Sequence, residues 1–190
     1  MSEGLVTHPD GVARCWWCGA DPLYVAYHDT EWGVPEYDGR ALFEKLILDG
    51  FQAGLSWITI LRKRDAFRAA FAAFDPERIA RFDQRNVETL MQNAGIVRNR
   101  AKIEAAISNA RLVREMPPGA FDELMWSFAP PARPRPTALA EVPAVTAESE
   151  EMSRALRRGG FRFVGPTTMY ALMQSAGMVD DHVAGCHRAA

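Results

Sequence analysis

The sequence predicts an all-α protein, and three observations support that fold class. Apolar residues recur at three- and four-residue steps over much of the chain, as they do on the buried face of a helix. Several of these runs begin at Asp or Thr and end at Gly or Pro, which are common residues at helix termini. The alternation typical of a β-strand is confined to FRFVG (161–165), a segment of only five residues.

The first half of the chain divides into helices at recognisable breaks. Helical periodicity starts near Asp38. Its apolar positions are Leu42, Phe43, Leu46 and Ile47. QAGLSW (52–57) interrupts this pattern at Gly54, and WITILRKRDAFRAAFAAF (57–74) then predicts one or two helices. DPERIARF (75–82) predicts another, because its opening Asp-Pro pair supplies a cap and a suitable first helical residue.

The second half of the chain continues the helical pattern. QRNVETLMQNAG (84–95) follows an Asp cap, NRAKIEAAISNARLVREM (99–116) comes next, and AFDELMWSF (120–128) makes a short helix. Five prolines between Ala129 and Val145 predict a loop, which is the one plausible internal linker. The last two predicted helices are TAESEEMSRALRRGG (146–160) and GPTTMYALMQSAG (165–177).

Length and composition limit the class of protein. A chain of 190 residues with 48% hydrophobic residues suits one globular domain or two small lobes. We expect residues 1–13 to be a flexible leader, without the features of a secretory signal, and residues 14–190 to form a single all-α domain with two helical lobes. Three cysteines do not make a disulfide framework and fit a cytoplasmic location. No apolar run predicts a membrane span, and a net charge of −2 restricts nucleic-acid binding to local patches.

The end of the chain, DDHVAGCHRAA, concentrates metal-binding side chains. His182 and Cys186 are four residues apart, so on a helix they would share a face. RCWWCGADPLYVAYHD, near the start, offers Cys15, Cys18 and His28, and together the two segments could supply a closed, structural Cys2His2 zinc site. A Cys3His site using both N-terminal cysteines, a redox dithiol, and plain buried thiols remain as alternatives.

Two further stretches suggest nucleic-acid chemistry. LMQNAGIVRNRAKI (90–103) predicts a tight turn between two helices, where backbone N–H groups and basic side chains favour a DNA phosphate; an ordinary helical hairpin with a solvated basic face is the alternative. The segment from Trp16 to Trp32 is rich in aromatic residues. Most of them, together with Trp57, could line a pocket for a flat cationic base. The alternative for these rings is a packed core.

Together, five segments resemble the 3-methyladenine DNA glycosylase I family of the helix-hairpin-helix superfamily, from about Arg14 to Arg188. They are DPLYVAYHDTEWGVP, LFEKLILDGFQAGLSWITILRKR, AGIVRNRAKIEAAISNA, MWSF and FRFVGPTTMYALMQSAGMVDDHVAGC. The resemblance implies a helix-hairpin-helix DNA glycosylase fold, with its hairpin at about 90–103 and a zinc site joining the N- and C-terminal segments. It implies a DNA-repair enzyme that flips 3-methyladenine out of double-stranded alkylated DNA and hydrolyses its N-glycosidic bond, the first step of base excision repair.

The resemblance also assigns residues. One structural Zn²⁺ per chain falls on Cys15, His28, His182 and Cys186. The base pocket falls on Tyr24, Trp32, Trp57 and, less directly, Trp17. The catalytic pair that hydrogen-bonds the base is Tyr27 and Asp49. Asp49 departs from the family's usual Glu and is one methylene shorter. From the residues themselves we expect Leu55, or alternatively Gln52, to fill the vacated stack, and the hairpin residues Gly95, Arg98, Arg100 and Lys102 to contact DNA.

N3-alkylation gives the adenine a positive charge and makes it a good leaving group, so no strong general acid is needed. Neither Lys102 nor Glu104 is a persuasive nucleophile at the phosphate-contacting turn, and we therefore expect a monofunctional hydrolase without lyase activity. We also expect the protein to be a monomer. Two alternatives remain. One is a catalytically weak or inactive protein that binds alkylated DNA. The other is a zinc hydrolase with an open metal position and Glu31 or Asp181 as its base.

Overall fold

The structure, a computed structural model, describes residues 4–188, and α-helices are its main secondary structure. Within that range the helices are α1 (Pro22–Thr30), α2 (Gly39–Gln52), α3 (Trp57–Leu61), α4 (Arg64–Ala70), α5 (Pro76–Ile79), α6 (Gln84–Gln92), α7 (Arg100–Glu115), α8 (Ala120–Trp126), α9 (Ala147–Arg158) and α10 (Pro166–Ser175). The predicted all-α class is confirmed. None of these helices has the length and apolar character needed to cross a bilayer.

A small β-hairpin precedes the helices. Strand β1 (Leu5–Thr7) pairs antiparallel with β2 (Ala13–Cys15), with Leu5 opposite Cys15. Arg14 fastens the second strand, because its guanidinium binds the carboxylates of Asp10 and Asp29. Residues 5–7 and 13 of the predicted leader (1–13) are therefore in paired strands, and residues 1–3 lie outside the described residues. The flexibility of this segment stays a prediction.

Helix α1 is absent from the sequence-based assignment, although its start carries a clear signal. The Asp21 side chain accepts hydrogen bonds from the N–H groups of Leu23 and Tyr24, and Pro22 is the first helical residue. This is the same Asp-Pro signature that predicted α5. The periodicity of α1 is weak because aromatic and polar residues alternate around it, so its pattern does not resemble that of a helix with one apolar face.

The other predicted helix starts agree with the structure. Asp83 and Asn86 form a capping box at α6, and Thr146 and Ser149 form one at α9. Asn99 caps α7 by accepting a hydrogen bond from the third residue of the helix. The sequence therefore correctly predicts the helices on both sides of the turn between α6 and α7. Helix α6 ends at Gln92, slightly before the predicted Gly95.

Helix α2 is the centre of the molecule. It packs against α10, α3, α7 and α8, and α10 in turn packs against α9. A run of buried phenylalanines extends from its last turn: Phe51 lies 4.8 Å from Phe67, and Phe67 lies 6.0 Å from Phe71, between ring centroids. This packing fixes the C-terminal end of α2, which carries Asp49.

The alternating segment FRFVG forms a loop between α9 and α10 and not a strand. Phe163 there has a φ of 58°, in the left-handed region that bulky residues rarely adopt. Such a backbone costs on the order of 1–3 kcal/mol and persists where surrounding contacts enforce it.

Candidate functional site

A cavity of about 190 Å³ opens where the N-terminal segment, the end of α2 and the start of α3 meet α10. All six residues that the sequence assigns to catalysis and base binding line it. The lining residues are Trp16, Trp17, Tyr24, Tyr27, Trp32, Asp49, Gln52, Trp57, Leu139, Val142, Ala171, Gln174, Ser175, Asp181 and Val183. The cavity therefore combines an aromatic side, a few polar groups and two carboxylates.

Aromatic rings form a continuous wall on one side of the cavity. The Trp17 ring centroid lies 5.1 Å from that of Tyr24 and 4.9 Å from that of Trp32. Tyr27 and Trp57 are 5.4 Å apart with an interplanar angle of 46°. Tyr24 and Tyr27 reach the wall together because residues three apart share one face of α1. This wall offers flat apolar surfaces and the attraction of ring faces for cations.

Asp49 is the charged group at the end of this wall. It is 4% exposed and lies in the last turn of α2, where the helix dipole opposes a negative charge. Among the described residues, its Oδ2 atom and the Nε1 atom of Trp57 are buried without a hydrogen-bond partner. Buried polar atoms are nearly always paired in folded proteins, so an acceptor and a donor left unpaired at one cavity indicate a ligand-binding role.

Burial raises the pKa of Asp49 from 3.8 to about 7, and the nearby Lys45 ammonium opposes this shift. Roughly half of the Asp49 side chains therefore carry a charge near neutral pH. Lys45 does not pair with Asp49 in the structure: its Nζ donates to the Ser175 carbonyl at 3.0 Å and lies 3.6 Å from Glu31. A cationic ligand would favour the ionised form of Asp49.

Tyr27 remains a phenol under all ordinary conditions. Burial raises its pKa well above 10, and the charge of Asp49 raises it further. Its hydroxyl can therefore act as a hydrogen-bond donor or acceptor, but not as a phenolate.

Four metal-binding side chains meet behind the aromatic wall. The ligand atoms of Cys15, His28, His182 and Cys186 all lie within 4.8 Å of one another, and all four residues are buried. The Cys186 Sγ atom is 3.5 Å from His28 Nε2 and 3.7 Å from His182 Nδ1. Tetrahedral zinc with ordinary Zn–S and Zn–N bonds requires sulfur–nitrogen separations of about 3.6 Å. The cluster could therefore hold a metal ion of this size and geometry.

Outer contacts orient both histidines toward the cluster. Asp29 Oδ1 lies 2.7 Å from His28 Nδ1, which leaves His28 Nε2 to face the sulfurs. His182 Nε2 lies 3.1 Å from the Trp32 carbonyl oxygen, which leaves His182 Nδ1 to face them. Partners of this kind fix the tautomer and ring orientation of metal-binding histidines.

The two clustered thiols are prepared for a cation. A hydrogen bond from the Cys15 thiol lowers the pKa of Cys186 and raises that of Cys15, so one thiolate is favoured in the pair. Cys18 lies outside the cluster: its thiol donates to the Cys15 carbonyl at 3.2 Å, and burial raises its pKa to about 11. The structure thus groups Cys15, and not Cys18, with the other three residues.

The C-terminal residues reach the cluster through turns. Residues 179–188 contain no helix, so the shared helical face assumed for His182 and Cys186 is wrong. The hydrogen bond from Cys186 N to the Val183 carbonyl closes a turn that brings both side chains to one side. A four-residue spacing is compatible with either geometry, and Gly185, with a φ of 93°, favours the turn.

The cluster and the aromatic wall are in direct contact. The Trp17 ring lies 5.3 Å from the His28 ring, and the Trp32 ring lies 4.6 Å from the His182 ring. Both tryptophan rings therefore pack against the histidines of the cluster. Loss of the cluster would displace one side of the cavity.

The turn between α6 and α7 carries several of the predicted DNA contacts. Gly95 has no room for a side chain, because a Cβ atom there would lie 2.9 Å from the Cβ of Ala66. Lys63, which the hairpin sequence does not contain, donates to the carbonyls of Ala94 and Gly95 at 3.0 and 3.3 Å. Arg98 is exposed at the turn. Positive charge at this turn thus comes partly from Lys63, in the turn between α3 and α4.

Two basic residues of the hairpin are engaged elsewhere. Arg100 forms a paired hydrogen bond with the exposed carboxylate of Glu88. Lys102, predicted to contact phosphate, is 8% exposed, and its Nζ donates to the carbonyls of Phe51 and Ala53 at 2.9 and 2.7 Å. This placement argues against the predicted phosphate contact, because the Lys102 charge already satisfies backbone acceptors at the end of α2, where helix carbonyls lack partners.

The QAGLSW segment leads from the cavity to the surface. Gln52 lines the cavity, Leu55 is 43% exposed, and Gly54 between them has a φ of 84° with open space around it. An exposed leucine on a glycine-containing loop beside a cavity is suited to insertion between bases, as the sequence predicts for this position.

The cavity contains polar residues that the sequence-based assignment omits. Gln174 and Ser175 line it from α10, where polar residues interrupt an otherwise apolar pattern; that interruption is the signal that could have identified them. Asp181, considered above as a hydrolase base, accepts hydrogen bonds from Tyr170 and Gln174. Glu31, the other candidate base, is paired with Arg64. Four buried protein ligands also leave no open metal position, which disfavours a zinc hydrolase.

Comparisons with known proteins agree over almost the whole chain. A family model described as methyladenine glycosylase matches residues 17–189. The chain is 50% identical over 177 residues to DNA-3-methyladenine glycosylase 1 of Escherichia coli (strain K12), covering 91% of this chain and 95% of that protein.

Solved structures give the same result. A crystal structure of 3-methyladenine DNA glycosylase I matches with a TM-score of 0.89 and 49% identity, covering 92% of this chain and 98% of that one. A structure of 3-methyladenine DNA glycosylase I from Staphylococcus aureus, described for its recognition of 3-methyladenine, matches with a TM-score of 0.86 and 35% identity, covering 92% and 95%.

Proposed function

This chain belongs to the methyladenine glycosylase family, and we propose that it excises 3-methyladenine from alkylated double-stranded DNA as the first step of base excision repair. The observation that carries the proposal is the aromatic cavity in which the Asp49 carboxylate and the Trp57 indole N–H are both unpaired among the described residues. A flat, cationic base with donors and acceptors on its edge complements these groups. The cavity is reached by a nucleotide that has left the stack.

The reaction is a hydrolysis. Water adds to C1′ of the deoxyribose, the C1′–N9 bond breaks, and its electron pair moves into the base and neutralises the positive charge. The products are free 3-methyladenine, an abasic site and one proton. Because the leaving group is already cationic, the side chains need to bind and orient the base and do not need to protonate it.

We assign Asp49 and Tyr27 to the hydrogen-bonding edge of the base. An ionised Asp49 stabilises the cationic lesion over neutral adenine, and its burial makes that interaction stronger than it would be in water. Trp57 and Trp32 lie on the faces of the base, with Tyr24 and Trp17 completing the wall. The short distances between these rings support this assignment.

Asp49 replaces a longer glutamate that is usual in the family. The missing methylene removes roughly 1.3 Å of reach, the length that one C–C bond adds along an extended side chain. Since Asp49 Oδ2 faces the cavity without a protein partner, the carboxylate keeps its function if the base sits deeper or if a water molecule bridges the gap.

We propose that the DNA duplex contacts the turn between α6 and α7 and the loop after α2. Arg98 and the backbone around Gly95 bind phosphate at the start of α7, with Lys63 reinforcing the positive charge. Leu55 fills the space left by the flipped nucleotide, and Gln52 bridges the cavity and the loop. Arg100 joins this interface when DNA competes with Glu88 for its guanidinium.

We assign one structural Zn²⁺ to Cys15, His28, His182 and Cys186. The sulfur–nitrogen separations match tetrahedral zinc, and four protein ligands exclude a reacting water. Bound zinc would supply cross-linking of distant chain segments and no chemistry on the substrate. The chain as a whole would form one glycosylase domain that acts in the cytoplasm as a monomer.

Release of free base from methylated duplex DNA tests this function. Mass spectrometry should detect 3-methyladenine, and the DNA should remain uncleaved until the abasic sites are treated with alkali. Asp49→Glu should retain excision, whereas Asp49→Asn should reduce single-turnover release by at least tenfold. Asp65→Asn, at a 98% exposed carboxylate, is the matched control. Tight binding of alkylated duplex without any base release would instead identify an inactive binding protein.

A further inference from the structure

Phe163 is held in an unfavourable backbone conformation while much of its side chain faces solvent. Its φ is 58°, and it is 37% exposed. A bulky residue in the left-handed region is a genuine outlier, and strain of this kind is found where the surroundings enforce it, often at binding sites. Burial of the phenyl ring does not explain the strain, because the ring is among the most exposed large apolar groups of the described residues.

Two buried polar side chains enforce the conformation of the 161–164 loop. Asn109 holds Arg162 with a pair of hydrogen bonds: its Nδ2 donates to the Arg162 carbonyl at 3.0 Å, and its Oδ1 accepts from the Arg162 N–H at 2.9 Å. On the other side of Phe163, the Ser153 hydroxyl donates to the Val164 carbonyl at 2.6 Å. Asn109 is 2% and Ser153 is 3% exposed, so both anchors belong to the rigid interior.

The loop lies beside both elements that we assign to DNA. The Phe163 ring centroid is 5.9 Å from Lys102 Nζ, in the first turn of α7. The same Nζ donates to the Ala53 carbonyl at 2.7 Å, at the start of the loop that carries Leu55. Phe163 also packs close to the end of α2, since a Cβ atom on Gly50 would lie 3.4 Å from Phe163 Cβ. Phe163 is therefore next to the Leu55 loop and the hairpin helix.

We propose that Arg162 and Phe163 form a third contact with duplex DNA, which rests on the proposed function. Arg162 is exposed and carries the charge that phosphate requires, while Phe163 presents an apolar ring suited to a deoxyribose or the edge of a base. The Asn109 and Ser153 anchors preorganise this pair before DNA arrives, so little side-chain or backbone freedom is lost on binding. The strain in the free protein is the cost of that preorganisation.

Binding of a duplex containing a stable abasic-site analogue tests the contact, using Phe163→Ala, Phe163→Gly and Arg162→Gln. Both Phe163 variants should weaken duplex binding by at least about 5-fold, the lower end of the loss expected for removing one aromatic contact with a base. Arg162→Gln should reduce the slope of log K against log salt by about 1. Phe163→Gly should unfold at an equal or higher temperature than wild type, because glycine adopts this φ without strain.

Binding of free 3-methyladenine, followed by tryptophan fluorescence, separates this contact from the cavity and should be unchanged in all three variants. Tyr37→Ala is the matched control. Tyr37 is 64% exposed and lies just before α2, about 20 Å from its C-terminal end by the helical rise, so duplex binding should not change. Duplex affinity equal to that of the control overturns the proposal. A parallel loss of free-base binding also overturns it, since the loop would then act by supporting the cavity.

The same measurements distinguish this proposal from the proposed activity. Duplex affinity is read without base release, so an inactive wild type that still binds DNA would refute the glycosylase assignment and leave the Phe163 contact measurable.

Discussion

Asp49 is expected to make the free protein less stable as the pH rises. Burial raises its pKa in the folded state to about 7, against 3.8 for an exposed aspartate. Between these values the folded protein retains a proton that the unfolded chain has released. The contribution of Asp49 to stability is therefore largest below about pH 4 and is lost as the pH rises through about 7.

The size of this effect follows from the two pKa values. The difference between 3.8 and about 7 corresponds to about 4 kcal/mol of lost stability above pH 8, as an upper bound. About 2–3 kcal/mol of this loss falls between pH 5 and pH 8. Asparagine has nearly the same shape and does not ionise, so Asp49→Asn should gain stability relative to wild type by that amount over the same interval.

Urea unfolding of wild type, Asp49→Asn and the exposed control Asp65→Asn at pH 5, 6, 7 and 8 measures the effect. The free energies of wild type and Asp49→Asn should diverge as the pH rises, while wild type and Asp65→Asn should change in parallel. Parallel curves for Asp49→Asn and wild type would show that Asp49 is not a buried group with a raised pKa, and would refute the electrostatic reasoning for the cavity.

The rate of base excision should rise with pH, whereas the contribution of Asp49 to stability falls. If the cationic lesion binds the ionised carboxylate, kcat/KM of wild type should rise about tenfold between pH 6 and pH 8, following ionisation of Asp49. The Asp49→Asn variant should be more stable but almost inactive, and its residual rate should lack this rise. A wild-type rate that does not change over this range would contradict the assigned role.

Three other substitutions test separate parts of the structure. Cys186→Ala removes one cluster ligand and should lower the free energy of unfolding by up to about 5 kcal/mol, together with loss of stoichiometric zinc measured by atomic absorption; unchanged metal content would exclude the assigned ligand set. Gly95→Ala should lower the free energy of unfolding by about 1–3 kcal/mol, because its Cβ atom would lie 2.9 Å from the Cβ of Ala66. It should also weaken duplex binding; thermal unfolding measures the first effect and DNA titration the second. Lys102→Met leaves two carbonyls unpaired and should destabilise the protein by about 1–3 kcal/mol without reducing the salt dependence of DNA binding. A smaller slope of log K against log salt would instead support the phosphate contact predicted from the sequence.

The sequence predicts the helices best where side chains act locally. Caps such as Asp83, Asn99 and Thr146 depend on neighbours within one turn, and their helices start where predicted. Helix α1 starts with an equally local signal at Asp21, but its composition hides it, because the face that would normally be apolar contributes Tyr24 and Tyr27 to the cavity. The sequence pattern is weakest where residues face a ligand site.

Long-range contacts explain the remaining differences. Nothing in the sequence near Lys102 indicates that its ammonium extends beneath the hairpin to carbonyls some fifty residues away. Nor can spacing alone show that the C-terminal ligands lie on turns, or that Cys15 and not Cys18 joins them. The aromatic set was grouped by its clustering in the sequence and assigned to the base pocket through the family resemblance. The unpaired Asp49 and Trp57 atoms, in contrast, are visible only in three dimensions.

The contact between the cluster and the cavity wall has a consequence for biosynthesis. The hairpin and its supporting helices are translated well before His182 and Cys186, which are needed to hold Trp17 and Trp32 in place. A ribosome-bound chain therefore contains the hairpin and the Leu55 loop before the base cavity can take its final form. The nascent chain would therefore acquire its ability to bind the damaged base last.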